Sequence, residues 1–174
     1  EGRARLKGIE KSDSVVMDPH KGLFLPYGLG TVLVRDRKFL RQSHGYTAAY
    51  MQDARSDEDS PADLSAELTK HFRGLRLWLP LKLHGLAPFR ACLREKLLLA
   101  RYVYEQLKQM PGFEVLNEPE LSVVAFRYVP RRGDADTFNK RLQAAVQKDG
   151  RVFISSSTVR GMCVLRIAIL SFRT

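Results

Sequence analysis

Between Pro88 and the Pro111-Gly112 pair, apolar residues return at helical spacing, so that Phe89, Leu93, Leu97, Ala100, Tyr104 and Leu107 share one face. Proline is tolerated in the first turn of a helix, where its missing N–H has no bond to lose, and Pro-Gly ends one. A helix of this length with one apolar face needs a wide apolar partner, and the sequence provides it at once. "FEVL" and "LSVVAFRYV" read as strands, and Asp134 or Asp136 can cap a helix carrying Phe138, Leu142 and Val146. "RVFISSS" and "MCVLRIAIL" then read as two more strands. The fold class is α/β, with a small lobe built at the C-terminal end of the long helix.

Upstream the pattern is looser. Residues 13–18 and 30–36 read as two buried neighbouring strands, with Pro26 and Gly28 marking the turn between them. Residues 42–63 are polar, carry acidic Asp57, Glu58 and Asp59, and read as a long loop of the kind that serves a function or stays disordered. A helical reading returns over residues 64–84, interrupted by Pro80. The expected division is residues 1–105, ending with most of the long helix, and residues 106–174, the small lobe.

Composition narrows the function classes. At 174 residues and 44% hydrophobic content the chain can bury one sizeable core. The net charge of +10 comes from basic residues spread from Arg3 to Arg173 without interleaved aromatics, which argues for a solvated surface and against a nucleic-acid partner. A compact anion such as a phosphate remains compatible with it. No apolar run approaches the roughly 18 residues of a membrane span, and the first residues lack the apolar core of a signal peptide, so no membrane partner and a cytoplasmic location are expected. Cys92 and Cys163 are not in metal-type spacing and suit buried thiols, and no metal site is expected.

Two positions carry chemistry. Lys21 follows a strand, a rigid Pro19 and His20; partly desolvated at a strand end, a lysine's pKa falls and its neutral amine can attack a carbonyl. The competing reading is a surface lysine in a turn. Arg166 alternates with Met162, Val164 and Ala168 on the last strand, where a guanidinium among apolar neighbours requires a carboxylate partner unless that face is solvated.

Taken together, "SDSVVMDPHKGLFLPYGLGTVLVRD", "HFRGLRLWLPLKLHGLAPFRACLREK", "FEVLNEPELSVVAFRYVP" and "MCVLRIAILSFRT" resemble, in this order, segments of the group II pyridoxal-phosphate-dependent amino-acid decarboxylases. That family includes glutamate, cysteine-sulfinate and aromatic-L-amino-acid decarboxylases. The resemblance implies the C-terminal portion of a fold-type I pyridoxal-phosphate-dependent transferase. Its parts would be the end of the large-domain sheet with a mobile loop and linking helix, then the small C-terminal α/β domain. It implies pyridoxal 5'-phosphate as cofactor, Lys21 as the residue forming the internal aldimine, and His20 beside the cofactor near its phosphate. Arg166 would contact the carboxylate of a small amino-acid substrate, and the parent subunit would form a homodimer.

The same resemblance implies that the family's pyridine-nitrogen aspartate, stacking histidine and phosphate-gripping loops lie upstream of these residues, so the isolated chain is expected to be inactive. The family's mobile-loop tyrosine has no counterpart between Asp53 and Phe72; Tyr46 and Tyr50 lie nearby but off the motif. Aldehyde synthase or carbon–sulfur lyase chemistry on the same fold therefore stays open. So does a non-catalytic basic interaction domain.

Overall fold

The computed structural model describes residues 3–45 and 60–174. It forms two compact units, Glu1–Leu83 and His84–Thr174, each with its own internal packing. The long helix thus groups wholly with the second unit, whereas the sequence reading placed the division after residue 105.

In the first unit, β1 (Ser14–Met17) and β2 (Thr31–Val34) form an antiparallel pair in the register Val15 opposite Leu33 and Val16 opposite Val32. The connection begins with one helical turn, α1 (Pro19–Gly22), and continues through Leu25 and Leu29. Pro19, Leu25 and Leu29 are buried and anchor the connection. The strands themselves are not buried as expected: Val16, Val32 and Leu33 are 75%, 54% and 55% exposed. A ribbon of two strands has two faces and two free edges, and the described residues cover little of either face.

A helix the sequence reading missed follows β2. In α2 (Arg37–His44) the first turn is capped by Asp36, whose carboxylate accepts from the Lys38 N–H at 3.0 Å. The stretch RKFLRQSH holds only two apolar residues, side by side, too few to trace a stripe. Most of the expected loop, with Tyr46, Tyr50 and the acidic cluster, lies outside the described residues. A 3-10 turn at Pro61–Leu64 carries a capping box between Ser60 and Asp63. The next helix, α3 (Gly74–His84), starts ten residues later than the expected 64 and contains Pro80.

The second unit is a four-stranded antiparallel sheet in the order β3 (Phe113–Val115), β4 (Val123–Tyr128), β6 (Met162–Ala168), β5 (Ser155–Val159). Val124, Phe126 and Leu165 meet Ala100 and Leu107 of α4 (Ala87–Gln109), while Leu142 and Val146 of α5 (Ala135–Asp149) pack against the same core. Because Val124 pairs with Ile167 and Phe126 with Leu165, one sheet face takes both helices. The other face carries Ala125, Arg166 and Ser155 in a row. Asp134 caps α5 by accepting from the Thr137 N–H at 2.7 Å. Gly112, at φ +85°, is required by the chain stop before β3: a Cβ there would stand 2.5 Å from Tyr128 Cε2.

Where β4 and β6 diverge, α5 replaces their missing ladder bonds with side chains. Asn139, fully buried, accepts from the Tyr128 N–H at 2.9 Å and donates to the Tyr128 carbonyl at 2.8 Å and to the Ala135 carbonyl at 2.7 Å. One turn earlier, the Asp136 carboxylate accepts from the Cys163 N–H at 2.9 Å. Cys163 is buried and Cys92 half-buried, both as free thiols. Among the described residues no helix is long and apolar enough to cross a membrane, and no cluster of His, Cys, Asp or Glu could hold a metal ion.

Candidate active site

β1 ends at Met17, and after Asp18 Pro19 opens α1 with its φ already helical. The Asp18 carbonyl accepts from the Lys21 N–H at 2.9 Å, closing the turn. One turn of helix brings side chains three residues apart onto the same side, so the Lys21 ammonium donates to Asp18 Oδ2 at 2.6 Å. This hydrogen bond, and then the carboxylate's charge, holds the Lys21 pKa above its ordinary value. The same bond from Lys21 holds Asp18 below the usual carboxylate range. The expected depression of the lysine by desolvation is therefore corrected: its side chain is 59% exposed, and an adjacent carboxylate outweighs the small effect of burial.

His20 points the other way from its neighbour. Its Nδ1 lies 2.6 Å from the Leu29 carbonyl oxygen. A carbonyl can only accept, so Nδ1 carries the proton, and the remaining lone pair sits on Nε2. The Tyr27 ring stands edge-on to the imidazole, centroids 4.9 Å apart and planes inclined by 65°. The backbone between them is held in unusual conformations, with Phe24 at φ +59° and Gly28 at φ +84°. Arg76 of α3 donates from Nη1 to the Tyr27 carbonyl at 2.8 Å.

Lys21 and His20 are thus brought together on one turn, with Asp18, Tyr27 and Arg76 around them. Asp18 was legible in the spacing Asp-Pro-His-Lys once the turn is helical. Tyr27 and Arg76 carry no such local signal. Arg166 belongs to the second unit, on the helix-free face of β6 between Ala125 and Ser155. Its side chain is exposed and has no partner among the described residues, so the expected apolar enclosure is absent and the solvated-face reading fits its surroundings.

A family profile described as the pyridoxal-dependent decarboxylase conserved domain matches residues 1–129. The chain belongs to this family. An aromatic-L-amino-acid decarboxylase of Bacillus atrophaeus is 32% identical over 99% of the chain, and tyrosine decarboxylase 2 of Arabidopsis thaliana 35% identical over 97%. A phenylacetaldehyde synthase of Arabidopsis thaliana is 28% identical over 97%. The chain spans only 38%, 32% and 36% of these relatives' own lengths. The crystal structure of Oryza sativa TDC with PLP and tryptamine superposes with a TM-score of 0.88 at 27% identity, covering 96% of this chain and 36% of that one. The fold class is therefore α/β, as a portion of a fold-type I pyridoxal-phosphate-dependent enzyme. In this member of the family the residues present suit the family's cofactor: a primary amine able to bond an aldehyde carbon, beside a ring nitrogen without a partner among the described residues.

Proposed function

We propose that the protein containing this chain decarboxylates an L-amino acid, with Lys21 as the residue that carries pyridoxal phosphate and His20 facing its phosphate. The observation that carries this reading is the Asp18–Lys21 turn: a primary amine, exposed and paired 2.6 Å from a carboxylate, within the segment that resembles the family's cofactor-lysine segment. When bound, the cofactor contributes an electron-poor ring that accepts the electron pair freed as the carboxylate leaves as carbon dioxide. Lys21 reacts only as the free amine, and the Asp18 carboxylate holds the proton on Nζ until that pairing is given up. Pro19 and the buried Leu25 and Leu29 hold the turn in place against the ribbon.

Arg166 is the proposed partner of the substrate carboxylate, a bidentate task suited to a guanidinium without a partner among the described residues. The chain spans only 38% and 32% of two decarboxylase relatives' lengths, and we propose that full activity belongs to a longer protein that acts as a homodimer. The phenylacetaldehyde synthase among the relatives favours a second reading, aldehyde formation from the same substrates.

The test is Lys21→Ala in the full-length protein. Visible absorbance of the bound cofactor and turnover are both expected to vanish, and borohydride reduction of the parent protein is expected to leave a pyridoxyl group on Lys21. Lys21→Arg is expected to fail equally, because a guanidinium stays protonated. Turnover above a trace in Lys21→Ala would refute the assignment. Product analysis, amine against aldehyde, separates the two readings.

A further inference from the structure

We propose that Arg76 is a positioning residue for His20, acting through the turn of residues 26–29. Three contacts link them in series. Arg76 Nη1 donates to the Tyr27 carbonyl at 2.8 Å, the Tyr27 ring stands against the His20 ring, and two residues further on the Leu29 carbonyl takes the proton of His20 Nδ1 at 2.6 Å. Leu29 is anchored by its own burial, whereas Pro26, Tyr27 and Gly28 between these contacts are exposed. Tyr27 is 86% exposed, and its side chain packs on nothing but the imidazole among the ring contacts of the described residues. Gly28 is shaped to the guanidinium: it sits at φ +84°, and a Cβ there would come within 3.1 Å of Arg76 Nη1.

The consequence is chemical. A neutral imidazole in water prefers its proton on Nε2 over Nδ1 by a modest margin, and the Leu29 carbonyl reverses that choice. With Nδ1–H engaged, Nε2 is the nitrogen presented outward: an acceptor while the ring is neutral, a donor to an anion once it takes a second proton. Arg76 therefore sets which nitrogen of His20 is available, although it touches neither His20 nor Lys21. Residues 27 and 76 are 49 apart in sequence, so the link exists only in the fold. What Nε2 faces rests on the pyridoxal reading above, while the tautomer itself does not.

The experiment compares Arg76→Met with Arg76→Lys, two side chains of similar reach of which only lysine can donate to the Tyr27 carbonyl. The full-length protein is labelled with ¹⁵N-histidine, and the ring nitrogens are read by long-range proton–nitrogen correlation; a His20→Gln variant assigns the His20 signals. The wild type and Arg76→Lys are expected to show Nδ1–H and unprotonated Nε2, whereas Arg76→Met moves His20 towards the Nε2–H form of free imidazole. In the full-length protein the half-saturating concentration of pyridoxal phosphate is expected to rise about fivefold in Arg76→Met and to stay near the wild-type value in Arg76→Lys. A merely structural arginine would lower the melting temperature without moving the tautomer. Wild-type ring signals in Arg76→Met, or identical ring signals in the two variants, overturn the inference. A moved tautomer without any cofactor binding supports it and refutes only the pyridoxal reading.

Discussion

Replacing Asn139 by alanine is the sharpest perturbation of the C-terminal unit. The Leu116 N–H bonds the Ala125 carbonyl and the Val129 N–H bonds the Gly112 carbonyl, so on β4 every second residue faces β3. Tyr128 falls between these, and its own N–H and C=O point away from β3, where Asn139 meets both. Alanine leaves two backbone groups without partners in a half-buried position, each worth about 1–3 kcal/mol, for an expected loss of about 2–5 kcal/mol. The Ala135 carbonyl loses little, since it also accepts within the helix.

Asn139→Asp separates the two bonds: the carboxylate can still accept from the Tyr128 N–H but cannot donate to the carbonyl. Burial beside that carbonyl raises the new carboxyl's folded pKa. Such a group contributes stability below its unfolded pKa and loses it as pH rises, so this variant should be less impaired near pH 4 than at pH 7, relative to the wild type at each pH. Urea unfolding followed by far-ultraviolet circular dichroism gives both numbers. An alanine variant within about 0.5 kcal/mol of the wild type would show that Tyr128 finds water or another partner, and would refute the reasoning.

Two further outcomes concern the candidate site. Arg166→Lys should raise the substrate KM about tenfold or more, the value of a lost charge-assisted bond, while leaving cofactor absorbance in place; unchanged kinetics would leave Arg166 a solvated surface residue with no part in substrate binding. Asp18→Asn should move the pH at which Lys21 becomes reactive to an amine-directed reagent downward, towards the ordinary 10.5, because the partner that holds the proton on Nζ is gone. The Asp18–Lys21 pair contributes from above the ordinary aspartate value of 3.8, where a lowered carboxyl is fully ionised, until pH rises through the raised lysine pKa. A reactivity profile that does not move between wild type and Asp18→Asn would show that the ion pair does not persist in solution.

The order of elements in the C-terminal unit was legible because its strands alternate cleanly and its helices carry caps and stops. Phase was harder. Leu97, Leu98 and Leu99 run together, so two faces of α4 are equally apolar on paper; the expected Leu93 is exposed, and Leu99 and Val103 pack inward with Ala100, Tyr104 and Leu107. Lys96 lies on that inner face too, its Nζ donating to the Thr174 carbonyl at 2.5 Å, a placement no hydropathy pattern indicates. Asn139 was invisible for the same reason: a polar residue on a core-facing position looks like a break in the stripe until its two backbone partners are seen. At the candidate site, the Asp-Pro-His-Lys stretch singled out His20 and Lys21, and the resemblance of a longer segment supplied the roles expected of them. The bond from Arg76 to Tyr27 joins segments whose separation no periodicity spans.

The β1–β2 ribbon also has a consequence in time. Four residue pairs whose faces are largely open to solvent unzip and close far more readily than the helix-backed sheet, because little apolar contact is lost in opening. Asp18 follows directly on the last residue of β1 and pairs with Lys21 within one helical turn, so the pair lies beside the strands that open most readily. In hydrogen–deuterium exchange the amides of β1 and β2 would lose their protons long before those of β4 and β6. Lys21 therefore sits on the fast clock of the first unit, while the interior that holds the C-terminal unit together keeps the slow one.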